Sequence, residues 1–347
     1  MDFSQNHKME QQKGVERFLM DTVEMVEALK SFECRYQREA VEAALENPEA
    51  VSPHLIAILK EVVADPEHIF DEVPEEGVRL DYIYALILLG IFREEKAHDV
   101  IVDLASMPMP LADEILGDSI TEDLHLALYQ TCGGKMGRLK ELATNDRADV
   151  FCREAALRAL GYAFLDGVLS RDAYLSFLRS ELEKEVDPDE SNPDVFTYFD
   201  MLASCAYGIY PEELMDVIRE GFEAGKMEGE MTDYAMFEEL FRLNDRDGFL
   251  SKEKKRFEKE ATQSIHDKME DWACFREDGG QELTPREKAL LLSLAKKDDL
   301  NFPDPFGEEG VFEPSEVPLF QKPKKRNKKK AKQTKASRKA NRRKKKK

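Results

Sequence analysis

Two Glu-x-x-His pairs, Glu95/His98 and Glu122/His125, are the side chains of this sequence best suited to chemistry by type and spacing. On inward-facing helices such i, i+3 pairs join two further glutamates to build di-iron sites in four-helix bundles. Here the pairs lie only 27 residues apart. Each falls in or near the first turn of its helix, where the helix dipole already accounts for an acid. The densest polar cluster overlaps the second pair. GDSITEDL (117–124) and the residue after it offer Asp118, Thr121, Glu122 and His125 as a cation or partner site. The plainer reading is a tight helix–helix connection: Gly117 turns the chain, Thr121 caps, and Glu122 and Asp123 complement the dipole.

Other motifs fail on spacing. Placing Gly248 of Asn244-Asp-Arg-Asp-Gly248 at the sixth position of a calcium loop puts Leu243 first and Lys254 twelfth, where carboxylates are required. That segment reads as a turn. Gly133-Gly134-Lys135 lacks both the spacing and the preceding strand of a phosphate loop. No catalytic residue, metal ligand or cofactor is therefore assigned, and an enzyme is the less favoured class.

The elements that must position these residues are helical. From Ser52 the residues Leu55, Ile56, Leu59, Val62 and Val63 form one apolar stripe, with Ser52 as N-cap and Pro53 first in the helix. Further stripes are Val150, Leu157, Leu160 and Phe164; Tyr174, Phe177, Leu178 and Leu182 after Ser170; and Leu214, Val217, Ile218 and Phe222 after Pro211. Thr284 to Glu287 forms a capping box opening a helix through Leu290, Leu291 and Leu294. No alternating β-branched run with hairpin signals occurs, so strands are not expected.

DYIYALILLG (81–90) and FCREAALRALG (151–161) share an Ala-Leu-x-x-Leu-Gly core, their glycines 71 residues apart. REAVEAAL (38–45), EDLHLALYQTCGG (122–134) and FDMLASCAYG (199–208) are weaker relatives. The spacings of roughly 30–47 residues suit two-helix repeats. The fold class expected is all-α: a HEAT- or armadillo-like solenoid, with an irregular helical domain as the alternative. The divisions are 1–30, a polar segment and first helix; 31–248, the repeats; 249–297, charged helices, with 249–272 solvent-exposed; 298–321, a linker; and 322–347, a disordered polybasic tail.

Charge is distributed very unevenly. Positions 322–347 hold 17 Lys or Arg and no acid, which leaves 34 basic against 71 acidic residues before them. A body of net −37 repels nucleic acid and anionic membranes, so polyanion contact falls to the tail. Its candidate residues are Lys324, Lys325, Arg326, Lys328, Lys329, Lys330, Arg338, Lys339, Arg342 and Arg343. With no aromatic side chain among them, binding should be salt-sensitive and sequence-blind. The five cysteines (Cys34, Cys132, Cys152, Cys205 and Cys274) form no Cys-x-x-Cys pair and lie among apolar or small residues. They read as small buried thiols. The N-terminus lacks the apolar core of a signal peptide. The greasiest stretch, Tyr82 to Phe92, is 11 residues long, well short of a membrane span.

Four stretches carry a family resemblance: REAVEAALENPEAVSPHLIAIL, DYIYALILLGIFREEKAHDVIVDL, LGDSITEDL and REAALRALGYAFLDGVLSRDAYLSFL. They resemble the bacterial family called domain of unknown function 1186, between about residues 35 and 240. The resemblance implies a helical, HEAT-like body in a cytosolic protein and brings no activity. Some members look to end in a Cys-rich zinc motif of the SEC-C kind. This sequence has no Cys after Cys274, and the basic tail occupies that place.

The leading functional expectation is a non-enzymatic scaffold. Its repeat groove would take an unidentified protein partner, and its tail would contact RNA, DNA or the ribosome. The alternatives are a metal-dependent enzyme or metal carrier built on the Glu/His pairs, and a protein directed to a nucleus by the tail. The expected location is cytoplasmic, or nuclear if the tail is read as an import signal.

Overall fold

The structure, a computed structural model, describes residues 20–275 apart from 72, 75–76, 187–192, 228 and 230–231. Among the described residues there are helices and no strand. In order they are α1 (Thr22–Leu29), α2 (Arg38–Glu46), α3 (Pro48–Ala64), α4 (Asp81–Ile91), α5 (His98–Ala105), α6 (Leu111–Leu116), α7 (Ser119–Glu122) and α8 (Leu124–Thr131). There follow α9 (Met136–Ala143), α10 (Val150–Leu165), α11 (Arg171–Leu182), α12 (Pro193–Tyr207), α13 (Met215–Glu223), α14 (Tyr234–Leu243), α15 (Arg246–Ala261) and α16 (Ile265–Met269).

Hydrophobic pattern sorts these helices into two rows. In α4 every residue from Asp81 to Gly90 is buried, because α3 lies on one side and α8 on the other. The inner row continues as α8 on α10 and α10 on α12. Each fully buried Leu or Ile there contributes about 1.5–3 kcal/mol. The second row alternates with it in the chain and is amphipathic: α3 contacts α5, α5 contacts α9, and α11 contacts α13. Stacked helix pairs of this kind are the all-α repeat arrangement expected from the sequence. The shared Ala-Leu-x-x-Leu-Gly core lies in the inner row. A Cβ on Gly90 would stand 3.2 Å from the Ala127 Cα of α8 and 3.0 Å from Gln130 Oε1. The missing side chain is what lets α4 and α8 approach.

Several local expectations are corrected. The helix read from Ser52 begins at Pro48, so Pro53 lies inside it and Ser52 is not its cap. Pro48 takes the first-turn position instead, and the Ser52 hydroxyl donates back to the Pro48 carbonyl at 2.7 Å. Thr121 is not an N-cap either. It sits within α7, and its hydroxyl donates to the Asp118 carbonyl at 3.1 Å. Gly117 does turn the chain, at φ +48°. Asp245 gives 244–248 a definite role, accepting from the Gly248 N–H at 2.8 Å to cap α15. No disulfide joins the five cysteines; Cys132 and Cys152 are buried, Cys205 and Cys274 half-buried. Cys34 is exposed, because it lies in the bend at 33–35 rather than on a packed helix.

The largest departure is the segment expected to be solvent-exposed. Only one face of α15 is. Phe249 and Phe257 are buried, and after a break at 262–264 so are Ile265 and Met269 of α16. The segment lies across the inner row as a strap, running opposite to the repeat order. Phe249 meets Tyr207 and Tyr210, both at 5.9 Å between centroids. Phe257 stacks on Tyr162 at 4.5 Å and meets Tyr129 edge-on at 5.3 Å. Farther along, the Tyr36 hydroxyl is 2.8 Å from His266 Nδ1, and Arg38 pairs with Glu270. The strap thus links the α12 end of the row to the segment before α2. The capping box at 284–287, the linker and the tail lie outside the described residues.

Candidate functional site

The polar residues brought together by the fold lie under the strap. His125 on α8 is 1% exposed, and its Nε2 stands 2.6 Å from Glu260 Oε1 on α15. One turn along α10 from each other, Arg158 and Tyr162 complete the cluster. The Tyr162 hydroxyl donates to Glu260 Oε2 at 2.8 Å, and Arg158 Nη1 donates to the Thr121 carbonyl at 3.0 Å. Arg158 Nη2 is 2.9 Å from His125 Nε2 and 3.5 Å from Glu260 Oε1. Nε2 cannot donate to the carboxylate and accept from the guanidinium at once. The shorter contact takes its proton, which leaves Nδ1 as a buried nitrogen with no hydrogen-bond partner among the described residues.

Electrostatics agree with that assignment. Burial lowers the His125 pKa to about 4, so the imidazole is neutral near pH 7. Burial opposes the Glu260 charge, but the His125 hydrogen bond, the Arg158 charge and the Tyr162 hydroxyl outweigh it and hold the carboxyl at about 2. Glu154, 3.8 Å from Arg158 Nε, is raised by its own burial. Two neighbouring contacts extend the cluster. Lys268 Nζ donates to the buried Asp123 at 2.8 Å, and Gln130 Nε2 donates to the Ala261 carbonyl at 3.2 Å. A general base must present a lone pair to a substrate. His125 has one nitrogen committed to Glu260 and the other facing the interior, so the arrangement pins the strap rather than serving an exposed reaction site.

The other residues singled out from sequence do not converge. Glu95 is exposed and packs against Gly133, where a Cβ would come within 2.4 Å of its Cδ. His98 points inward instead. Thr131 spends its hydroxyl proton on the Ala127 carbonyl at 2.7 Å and so accepts from His98 Nδ1 at 3.2 Å. His98 Nε2 is then a second buried, unpartnered nitrogen, and burial lowers this pKa to about 4 as well. Asp118, Thr121 and Glu122 lie on the surface, while His125 turns away from them. Among the described residues no three His, Cys, Asp or Glu side chains are grouped to hold a metal ion. The ten candidate tail cations named above lie outside the described residues. The sequence reading found His125 but missed Glu260, Arg158, Tyr162 and Lys268. Glu260 is 135 residues away, and nothing local in FEKEA marks it.

Residues 20–276 match the family described as Protein of unknown function (DUF1186). The chain belongs to that family. The DUF1186 match takes in the strap as well as the helix pairs. Over 191 residues the chain is 32% identical to an uncharacterized protein of Chlamydia muridarum (strain MoPn / Nigg), covering 54% of this chain and 72% of that protein. An uncharacterized protein of Chlamydia trachomatis serovar D is 31% identical over 191 residues, covering 54% and 71%. No solved structure matches the chain. No helix among the described residues of this DUF1186 chain is long and apolar enough to cross a membrane.

Proposed function

We propose that this DUF1186 protein is a non-enzymatic scaffold that uses residues 322–347 to hold an acidic helical-repeat body on RNA, DNA or another polyanion. The observation that carries the reading is the segregation of charge: 17 cations and no acid in the last 26 residues, against a net −37 in the rest. Such a segment neutralises many phosphates together and releases their counterions. Two features of the fold support a binding role over a catalytic one. The buried ionisable groups pair with one another across helices, and among the described residues the strap packs on the inner row and not on the second.

The test is binding of the full-length chain and of a chain ending at 321 to RNA and duplex DNA across a salt series. Tail-dependent binding that weakens steeply with salt is expected. Equal binding by both chains, or none by either, would overturn the tether.

A further inference from the structure

We infer that Cys34 and Cys274 form a reversible disulfide that locks the end of the strap to the segment before α2. Four contacts bring the two backbones together beside these cysteines, from positions 36 and 38 just after Cys34 to positions 266, 270 and 275 around Cys274. The Tyr36 and Phe275 rings lie 5.7 Å apart between centroids, and each is within two residues of its cysteine. Tyr36 also meets His266, with its hydroxyl 2.8 Å from Nδ1 and the rings edge-on at 5.8 Å. Arg38 pairs with Glu270. Trp272 stacks on Phe275 at 6.1 Å and 8°, stiffening the short helix that carries Cys274. The two thiols also interact electrostatically: Cys274 is raised first by burial and further by Cys34. No disulfide is formed in this structure. Of the five cysteines, Cys34 is the exposed one, open to a soluble oxidant.

The oxidant class is a low-molecular-weight disulfide such as oxidised glutathione. Cys34 loses its proton, and its thiolate attacks one sulfur of that disulfide. A mixed disulfide forms and one glutathione thiolate leaves. Cys274 then loses its proton and attacks the Cys34 sulfur, breaking the mixed disulfide and releasing the second glutathione thiolate. Two protein thiols are oxidised to one disulfide, the small disulfide is reduced to two thiols, and the two protons pass to the released thiolates. The order follows access, since a half-buried thiol resolves better than it initiates. The bond would close a loop through nearly the whole repeat body, where a cross-link constrains the unfolded chain most.

The test treats the full-length protein with oxidised and reduced glutathione in varying ratio, then maps peptides without reduction. The expected product is a monomer that has lost two hydrogens, with the Cys34 and Cys274 peptides joined. Its Tm should rise by about 5–10 °C and fall back on adding reductant. Cys34→Ser should take up no intramolecular link, and Cys274→Ser should stop at one glutathione on Cys34. Separate glutathione adducts on both cysteines of the unaltered chain, or a dimer linked through Cys34, would overturn the inference.

Discussion

His98 and His125 show what a buried imidazole does when it is held neutral. Burial moves both from 6.5 to about 4 in the folded protein. Above pH 6.5 neither state takes up a proton and their contribution is complete. Between 6.5 and 4 the unfolded chain binds protons that the folded chain refuses, so stability falls as pH falls. Glu260 acts in the same direction lower down: its folded value of about 2 lies below 4.5, and its contribution is lost between those values. Acid should therefore weaken the protein in two stages. His98 permits a clean test, because Thr131 keeps its bond to the Ala127 carbonyl without it. His98→Leu should lessen the loss of stability between pH 7 and 5 by about 1–2 kcal/mol, measured by urea unfolding at each pH. An unchanged pH dependence would mean that His98 takes up its proton in the fold over the same pH range as in the unfolded chain.

At the scale of the element, two glycines alike in sequence should behave oppositely. At Gly90 an added methyl meets the Ala127 backbone at 3.2 Å, and the Gln130 side chain at 3.0 Å is itself bonded to the strap. Overpacking of about 1–3 kcal/mol should exceed the helix-propensity gain of about 1 kcal/mol. At Gly161 the nearest atom is the Tyr174 hydroxyl at 3.4 Å, an ordinary contact. Gly90→Ala should lower Tm and Gly161→Ala should hold or raise it; equal effects would show that the inner row is looser than described. The inner helix α4 was legible in sequence because it is apolar on nearly every side. The strap was not. Phe249, Phe257, Ile265 and Met269 are thinly spaced among charges, and a pattern so sparse marks burial only once tyrosines from three other helices stand opposite. Ser52-Pro53 misled for a different reason: both residue types suit a helix start, and the earlier Pro48 had already taken that place. Emptying the Phe257 site, at a cost of about 3 kcal/mol, should free the strap before the core. Hydrogen exchange of Phe257→Ala should accelerate about a hundredfold over 246–275 and leave α4 and α10 unchanged, whereas uniform acceleration would make the strap part of the global folding unit.

For the whole molecule the governing fact is the opposition of a −37 body and a +17 tail in one chain. The helical architecture was readable from periodicity, but which surface stays open depends on contacts between residues more than a hundred positions apart. If the tail tethers the chain as proposed, the body's charge acts on the tail's partner at a distance. A phosphate backbone drawn to residues 322–347 is brought toward excess carboxylates, whose repulsion persists over a Debye length of about 10 Å at 0.1 M salt. The isolated 322–347 peptide should therefore bind RNA or duplex DNA more tightly than the full chain at low salt. As salt rises, the two affinities should converge, because screening removes the repulsion while both lose counterion-release energy. Parallel titrations of peptide and full chain by fluorescence anisotropy measure this directly. If the full chain binds more tightly at every salt concentration, the body contributes contacts of its own, and basic side chains on the exposed face of α15, such as Lys254 and Lys255, are the first to reverse in charge.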